Sequence, residues 1–455
     1  MKKKIKWNKF LGLGLVFPLS AIATISAGCW DKETTKEEKS ADNQNKQITD
    51  VSKISGLVNE RKSEIMAAKA DANKHFGLNM AIVAADGTVN DNSFNQSSWE
   101  AIQQLGALTG GEITSVDSST AELEGKYSSL ANTNKNVWVL SGFQHGDAIT
   151  NWLKVPENKQ LFTEKNIIIL GIDWTDTENV IPTGRYINLT YKTEEAGWLA
   201  GYANASFLAK KFPSDPTKRS AIVIGGGISP AVTDFIAGYL AGIKAWNLKN
   251  SDKKTKITTD KIEINLGFKV QDTSTKERLE QIASKDKPST LLAVAGPLTE
   301  IFSDIIANQN DRYLIGVDTD QSLVYTKTKN KFFTSILKNL GYSVFSVLSD
   351  LYTKKSNSRN LAGFEFGKKS ATVYLGIKDK FVDIADTSLE GNDKKLATEA
   401  ISEAKKEFEE KTKTTPAEEV RKTLEIPEMT DKQPDKQPDK QQESLDKLIT
   451  DINKN

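Results

Sequence analysis

The sequence predicts an α/β protein made of two doubly wound lobes. Between Leu78 and roughly Thr387, short aliphatic runs alternate with longer amphipathic stretches, and the alternation starts again at Arg185. Runs that are apolar throughout are typical of strands covered on both faces by helices. Strands alternating with helices indicate βαβ units and therefore a parallel sheet. Two such units in one chain predict two parallel sheets.

The first unit contains four predicted strands, each a buried apolar run. They are Met80–Ala85, Ile113–Val116, Val137–Leu140 and Ile167–Ile172. Stretches of helical length separate these runs, and they contain Trp99–Leu105, Leu123–Leu130 and Ala148–Leu153. The spacing is that of a βαβ series.

The second unit repeats this order after Arg185–Leu189 and a helical stretch at Thr193–Lys211. Its strands are predicted at Ala221–Ile224, Ile262–Leu266, Leu291–Ala295 and Leu314–Val317. Its helices are predicted at Phe235–Trp246, Leu279–Ser284 and Ile301–Ala307. Asn339 then suits the N-cap of a helix from Leu340 to Leu351.

Polar groups and glycines follow the predicted strands. Ligands of doubly wound sheets bind beyond the carboxyl ends of the strands, where the strand order reverses. These positions hold Asp86, Ser141-Gly142-Phe143, Asp173-Trp174, Gly225-Gly226-Gly227, Gly296 and Asp318. Three carboxylates among glycines and aromatic rings indicate a site for a molecule rich in hydroxyl and N–H donors. Each aspartate could instead cap the helix that follows it.

Composition limits the classes of function. The chain has 61 basic and 60 acidic residues and a formal net charge of +1, so no general positive field attracts nucleic acid. It has two histidines and one cysteine, which leaves no His-rich cluster and no thiolate zinc site. We therefore expect no metal, no cofactor and no nucleic-acid partner.

The N-terminus is typical of an exported lipoprotein. Five lysines precede an uncharged run from Phe10 to Ala27, as in a secretory signal. The run ends in Ser26-Ala27-Gly28-Cys29, which resembles a bacterial lipobox except that Ser26 stands where an aliphatic residue is usual. We predict a signal peptide at 1–28 and palmitate-type lipidation of Cys29, since two acyl chains give stable anchoring. The protein would then lie on the extracellular face of the cell membrane.

Polar segments flank the predicted folded body. Trp30 to about Lys74 has few large apolar residues, which predicts a tether with a weak helix at Ile54–Ala72. At the other end, Leu396–Lys413 reads as a charged helix, and Asp431–Gln442 repeats DKQPDKQPDKQQ. Such a repeat is typical of a solvated spacer.

Three segments carry a family resemblance. Asp86–Gln96 reads DGTVNDNSFNQ and precedes Trp99-Glu100, Gly225–Lys244 reads GGGISPAVTDFIAGYLAGIK, and Gly316–Gln321 reads GVDTDQ and precedes TSILKN at Thr334–Asn339. With Asn188–Tyr202 they cover most of the predicted body. They resemble the basic membrane protein family of lipoprotein receptors, which includes purine-nucleoside receptors, and mollicute surface lipoproteins in particular.

The resemblance implies a type I periplasmic-binding-protein fold. It also implies a nucleoside held between the two lobes and passed to an ABC permease with its ATPase. The ligand-binding residues carried over by position are Asp86, Asn90, Asp91, Phe94, Asn95, Asp173, Gly296, Asp318 and Lys338. Phe94 would stack on the base, Asp173 and Asp318 would accept ribose or base donors, and Lys338 would complete the polar ring.

Some of these assignments have alternatives. Phe94 could be a hydrophobic staple beneath the helix that Asn95 begins. Lys338 could be a solvated surface lysine, as most lysines are. A second stacking ring could be Phe143, Trp174, Phe235 or Phe268.

The chain also departs from the family pattern in two places. The loop after Asp86 is one residue shorter than usual, with Gly87-Thr88 where two glycines are common. The turn at Gly296 continues with Pro297, which lacks an N–H donor, so one backbone contact expected from the family is lost.

Other functions remain as alternatives. An enzyme is disfavoured because the sequence has no Gly-x-Ser-x-Gly elbow and no phosphate-binding Walker loop. A sugar-binding receptor of the same fold is an alternative, because carboxylates and stacked rings also serve sugars. A surface adhesin or antigen is compatible with the lipid anchor and the charged ends.

The domain limits follow from these patterns. We predict a signal peptide at 1–28, a polar tether at 29–76, lobe one at 77–190 and 339–358, lobe two at 191–338 and 359–388, and a charged helical and low-complexity tail at 389–455. The lobes are expected to close about two or three crossing strands near Leu189 and Asn339.

Overall fold

The apolar runs of the sequence form buried strands. The computed structural model describes residues 52–270, 272–429 and 438–454. The strands in these ranges are β1 (Met80–Ala85), β2 (Ile113–Ser118), β3 (Val137–Ser141), β4 (Ile168–Ile172), β5 (Tyr186–Tyr191), β6 (Ser220–Gly225), β7 (Lys256–Ile257), β8 (Thr290–Val294), β9 (Tyr313–Asp318), β10 (Phe332–Lys338), β11 (Ala371–Leu375) and β12 (Val382–Ile384).

Helices cover both faces of the sheets, because strands that are apolar on both sides must be buried on both sides. They are α1 (Ser55–Lys69), α2 (Phe94–Thr109), α3 (Leu123–Ala131), α4 (His145–Lys154), α5 (Pro156–Glu164), α6 (Thr193–Lys211), α7 (Pro230–Lys249), α8 (Thr273–Ser284), α9 (Leu298–Ile306), α10 (Leu340–Tyr352), α11 (Gly391–Thr412), α12 (Val420–Thr423) and α13 (Pro438–Lys454).

Two six-stranded sheets confirm the predicted fold class. The first has the order β2-β1-β3-β4-β5-β11 and the second the order β7-β6-β8-β9-β10-β12. All pairs are parallel except β10 with β12. The five strands of each unit follow the doubly wound order 2-1-3-4-5, so each sheet reverses its order beside its first strand. The structure thus has two equivalent switch points.

One predicted strand is wrong. The run Ile262–Leu266 forms a single bridge, from Glu263 to Ile224, instead of a ladder. The edge position beside β6 is taken by β7 at Lys256–Ile257. The apolar run still lies along β6, because the N–H of Gly225 donates to the Glu263 carbonyl at 2.8 Å.

Three connections cross between the two sheets. They join β5 to α6, β10 to α10, and β11 to β12. The crossings near Leu189 and Asn339 are therefore present, with a third at 376–381. β11 pairs with β5 of the first sheet, so 371–375 belongs to lobe one, although 359–388 was expected in lobe two. Local apolar pattern cannot show which sheet a short final strand joins.

The N-terminal segment from Ser52 is folded, in contrast to the predicted tether. The predicted helix is present as α1, on which Val58 and Ile65 are buried, and the preceding Ile54 is buried at its N-cap. Arg61 Nη2 lies 2.5 Å from Asp350 Oδ1 of α10. The segment is held against lobe one by a few apolar residues at helical spacing and by this ion pair. The signal peptide, Cys29 and the rest of the tether lie outside the described residues.

Much of the C-terminal segment also packs against lobe two, in contrast to the predicted solvated tail. Its helix α11 buries Ala397, Ala400, Ile401, Ala404 and Phe408 on the side that faces α6. Its last helix, α13, buries Leu445, Leu448, Ile449 and Ile452. Most of the Asp-Lys-Gln-Pro repeat lies outside the described residues, but its end at Gln441 is buried in α13. The other domain limits remain predictions.

Helices α6 and α7 pack unusually closely. A Cβ on Gly201 would lie 1.9 Å from the Tyr239 carbonyl oxygen, and one on Gly238 would lie 2.2 Å from that of Glu194. Only glycine allows the two backbones to approach so closely. As a result, the first turns of both helices lie together, next to the β5 crossing.

Among the described residues, no helix combines the length and the apolar character that crossing a bilayer requires.

Candidate ligand-binding cleft

A cleft of about 580 Å³ lies at the carboxyl ends of the strands of both sheets. Its walls include the loops after β1, β2, β3 and β4 in the first sheet. In the second lobe they include the start of α7, residues 268–270 and the ends of β8, β9 and β10. All nine residues predicted from the sequence line it: Asp86, Asn90, Asp91, Phe94, Asn95, Asp173, Gly296, Asp318 and Lys338. The structure therefore brings together side chains that are up to 252 residues apart, from Asp86 to Lys338.

Three strand-end aspartates share a rare backbone conformation. The φ angles are +52° at Asp86, +67° at Asp173 and +65° at Asp318. The left-handed region costs an L-residue about 1 kcal/mol or more, and aspartate is among the residues that tolerate it best. Such conformations collect at ligand sites, where the surrounding structure holds them. At each of these three positions the backbone turns sharply at the cleft wall.

A buried ion pair joins the two lobes at the cleft. Lys338 Nζ, at the end of β10, lies 2.5 Å from Oδ2 of Asp173, which follows β4. The side chains are 2% and 6% exposed, respectively. Burial raises the pKa of Asp173, and the Lys338 charge opposes that rise. The surface-lysine alternative for Lys338 is thus wrong.

Aromatic rings surround the Lys338 ammonium group. Its Nζ lies 5.2 Å from the ring centroids of Phe94 and Tyr191, and 5.3 Å from that of Phe235. These distances are within the range of cation–π attraction. The charge is therefore held in a desolvated aromatic setting by one carboxylate and three rings.

Asp318 forms the second contact between the lobes. Its Oδ2 accepts a hydrogen bond of 2.9 Å from the Ser93 hydroxyl. Burial raises the pKa of Asp318 to about 6, against the lowering effects of Lys338 and Ser93. Gly296 makes this approach possible, since a Cβ there would lie 2.2 Å from Ser93 Oγ.

The carboxylate of Asp91 stabilises the start of α2. Its Oδ1 accepts from the backbone N–H groups of Ser93 at 2.9 Å and Gln96 at 3.0 Å, and its Oδ2 accepts from that of Asn95 at 2.9 Å. Burial raises the pKa of Asp91, and these backbone bonds oppose the rise. Asp91 therefore caps the start of α2 with both of its carboxylate oxygens.

Asp86 and Asn90 lie nearer the mouth of the cleft. Asp86 accepts from the backbone N–H of Thr120 at 3.2 Å and from its hydroxyl, and lies 3.9 Å from the Lys269 ammonium group of lobe two. Asn90 is exposed, and its backbone N–H donates to Thr88. Asp86 thus takes part in a third contact between the lobes.

Two buried polar atoms of the wall have no partner among the described residues. They are Oδ1 of Asn95 and Oγ of Ser141. Leaving such an atom unpaired costs about 1–3 kcal/mol. A ligand that donates to Asn95 or bonds to Ser141 would remove that cost. Ser141 directly follows the predicted strand Val137–Leu140, so its place at the wall agrees with the strand-end rule.

The structure narrows the choice of a second aromatic wall. Phe143 and Phe268, from opposite lobes, lie 6.1 Å apart at an interplanar angle of 61°, and both line the cleft with Phe235. Trp174 is instead buried against Tyr186, with ring centroids 4.8 Å apart. Sequence reasoning missed Tyr191 and Ser93, although Ser93 lies inside the DGTVNDNSFNQ segment.

The cleft is acidic. Seven carboxylates line it, from Asp86, Asp91, Asp117, Glu122, Asp173, Glu300 and Asp318, against the ammonium groups of Lys269 and Lys338. Such a surplus repels phosphate and favours neutral ligands that donate hydrogen bonds. Within the described ranges, no group of three or more His, Cys, Asp or Glu side chains is arranged to hold a metal ion.

Comparisons with known proteins agree with this geometry. The profile of the family described as ABC transporter substrate-binding protein PnrA-like matches residues 79–419. An ABC transporter nucleoside-binding protein of Lactococcus lactis subsp. cremoris is 26% identical over 68% of this chain and 84% of its own. Basic membrane protein A2 of Borrelia garinii subsp. bavariensis is 27% identical over 65% of this chain and 79% of its own.

A solved structure supports the fold alone. An ABC transporter solute-binding protein from Aeropyrum pernix superposes with a TM-score of 0.53 at 16% identity, over 82% of this chain and 90% of that one. Proteins of the matched family bind solutes for ABC transporters and are not enzymes. The chain belongs to the PnrA-like family of ABC transporter substrate-binding proteins.

Proposed function

We propose that this protein binds a nucleoside, with a purine base, in the cleft between its lobes. As an ABC substrate-binding protein it delivers a small ligand to a permease and its ATPase. The observation that carries the nucleoside proposal is the pairing of an aromatic wall with a surplus of carboxylates in one cleft. A base offers a flat π face to the rings, and a ribose offers neutral hydroxyl donors to the carboxylates.

The contacts in the cleft support the following pose. The base lies against the face of Phe94 that Lys338 does not cover. A ribose hydroxyl donates to Asp318, and Asn95 Oδ1 accepts from an N–H of the base. Lys338 and Asp173 bind each other, so their part is to fix the rings and the lobes. The relative in Lactococcus lactis is described as nucleoside-binding, which supports the same ligand class.

The cavity volume is compatible with this ligand. Small-molecule sites are typically about 300–1,000 Å³, and the cleft measures about 580 Å³. Phosphate would meet seven carboxylates, so we expect nucleosides to bind and nucleotides to be rejected. We further propose a lipid anchor at Cys29 on the extracellular face of the membrane, supported by the sequence pattern that precedes it.

A thermal-shift panel tests the ligand. A ligand that binds only the folded state stabilises it by RT ln(1 + [L]/Kd), about 2.7 kcal/mol at 100 times Kd. We expect purine nucleosides to raise the Tm, and free sugars and nucleoside monophosphates to leave it unchanged. A shift with sugars alone would replace this proposal with the sugar-receptor alternative.

Detergent phase partitioning tests the anchor. The full chain expressed in a bacterial host that lipidates exported proteins should enter the detergent phase and incorporate labelled palmitate. The Cys29→Ser variant should do neither. Equal partitioning and labelling of both proteins would overturn the anchor.

A further inference from the structure

Two buried carboxylates meet beneath the cleft, where the first turns of α6 and α7 lie together. Glu194, in the first turn of α6, is 1% exposed, and Asp234 of α7 is 8% exposed. Burial raises the pKa of both groups, and the charge of Asp234 raises that of Glu194 further. One oxygen of Glu194, Oε2, has no hydrogen-bond partner among the described residues. A cation placed between two such desolvated acids compensates their charge.

The cation comes from the C-terminal segment. Arg421 of α12 places Nη2 2.7 Å from Asp234 Oδ1 and Nη1 3.6 Å from Glu194 Oε1. Its guanidinium also donates to the Pro427 carbonyl at 2.6 Å, which fixes its orientation. The side chain is 11% exposed. A rigid guanidinium fork is well suited to hold two carboxylates from different helices at once.

The neighbours of this acidic pair reach the cleft. Asp234 directly precedes Phe235, and Glu194 comes three residues after Tyr191. Both rings lie against the Lys338 ammonium group, at 5.3 and 5.2 Å. The next helix of the segment reaches the same place, because the Thr233 hydroxyl donates to Oε1 of Gln441 at 2.8 Å. A shift of either helix start would move a ring of the ligand site.

The residues that supply these contacts, 420–429 and 438–454, form a C-terminal arm that lies outside the range matched by the family profile. That range ends at residue 419, and Arg421 follows it. The arm nevertheless supplies the guanidinium that compensates acids within the matched range. The contacts of Arg421 with Asp234 and of Gln441 with Thr233 lie together at the start of α7, unlike those of a solvated spacer.

We propose that the C-terminal arm, described over residues 420–429 and 438–454, is a functional part of the binding unit, with Arg421 as a positioning residue that holds the starts of α6 and α7 together beneath the cleft. The arm thereby sets the positions of Phe235 and Tyr191 around Lys338. As far as it concerns ligand affinity, this inference rests on the proposed nucleoside function.

The test compares Arg421→Gln with the charge-balanced double variant Arg421→Gln/Asp234→Asn. Hydrogen exchange measured by mass spectrometry should show faster exchange at 190–196 and 230–240 in the single variant, and near-normal exchange in the double variant. The Kd for the best nucleoside of the panel should rise about tenfold or more in the single variant, equivalent to about 1.4 kcal/mol. The double variant should recover most of that loss. Arg421→Lys, which keeps the charge without the fork, should fall between wild type and Arg421→Gln.

Arg278→Gln is the matched control. It removes an arginine that pairs with Glu263 and not with Glu194 or Asp234, and it should leave exchange at these segments and the Kd unchanged. Unchanged exchange in Arg421→Gln would overturn the inference, as would an affinity loss that neither Asp234→Asn nor lysine relieves. If wild type binds no nucleoside, the proposed function fails, while the exchange measurements on ligand-free protein still decide the role of Arg421. If Arg421→Gln does not fold, a folded double variant supports the inference and an unfolded one overturns it.

Discussion

Lys338 Nζ lies 2.5 Å from Asp173 Oδ2, so a single buried ion pair connects the end of β10 in one lobe to the end of β4 in the other. The sequence and the family resemblance predict both residues in the cleft, as groups that face a ligand. In the structure they bind each other, and the ligand site is built around the pair. This relationship makes Lys338 a structural element of the cleft as well as part of its lining.

Lys338→Met is expected to destabilise the protein strongly. Removing one partner of a buried pair leaves the other charge uncompensated, at a cost of about 3–5 kcal/mol. Chemical denaturation should show this loss in the free energy of unfolding. Ligand affinity should fall as well, because Phe94, Tyr191 and Phe235 lose the cation they surround.

The double variant Lys338→Met/Asp173→Asn is the control for that loss. It removes both charges, so it should be more stable than Lys338→Met alone. A double variant that is less stable than the single one would show that the ion pair is not the source of the effect.

Phe94→Ala is expected to weaken nucleoside binding. Stacking of a base on an aromatic ring contributes about 1–3 kcal/mol, so the Kd should rise roughly 5- to 150-fold. Isothermal titration calorimetry measures the change. Phe366→Ala is the matched control, since this ring is 38% exposed and lies outside the cleft. Equal losses in the two variants would refute stacking on Phe94.

The layers of the fold and most of the cleft could be predicted from sequence because both depend on local patterns. Buried apolar runs identify parallel strands. The residue that follows such a strand lies at the edge of the cleft, independently of how the rest of the chain folds. Asp86, Asp173, Gly296 and Asp318 were found by that rule. Phe94 and Lys338 were placed by the family resemblance.

The features that could not be predicted depend on contacts distant in sequence. Nothing near Lys338 indicates that Asp173 will neutralise it, and nothing near Arg421 indicates two buried acids on α6 and α7. The sequence predicts solvated C-terminal helices because charged residues outnumber apolar ones. In the structure, one stripe of apolar residues at helical spacing packs α13 against lobe two. An apolar run such as Ile262–Leu266 predicts a strand whether or not it forms a full ladder of hydrogen bonds with its neighbour.

The pH dependence of stability should report on Asp318. Burial raises its pKa from 3.8 to about 6, so between these pH values the folded state holds a proton that the unfolded state has released. Stability therefore falls as the pH rises from about 4 to about 6, by at most about 3 kcal/mol from this group, and by less because the side chain is only partly buried. Urea denaturation of wild type and Asp318→Asn at both ends of this range isolates the effect.

The variant should gain stability relative to wild type as the pH rises through this range, because asparagine does not titrate. Nucleoside affinity of the wild type should increase over the same range, since an ionised carboxylate is the better acceptor for a ribose hydroxyl. A stability difference between the two proteins that stays constant with pH would exclude the raised pKa of Asp318.

Closure of the lobes should depend on the absence of a side chain at Gly296. A Cβ there would lie 2.2 Å from Ser93 Oγ and 2.6 Å from Ser93 Cβ, so Gly296→Ala pushes apart the surfaces that the Ser93–Asp318 bond joins. We expect nucleoside affinity to fall about tenfold or more, equivalent to about 1.4 kcal/mol. Small-angle scattering should show compaction on adding nucleoside in wild type, and less compaction in the variant.

Ser93→Gly in the Gly296→Ala background removes the clashing atoms and should restore compaction. If Gly296→Ala alone closes and binds like wild type, contact between the lobes at this point is not required for binding.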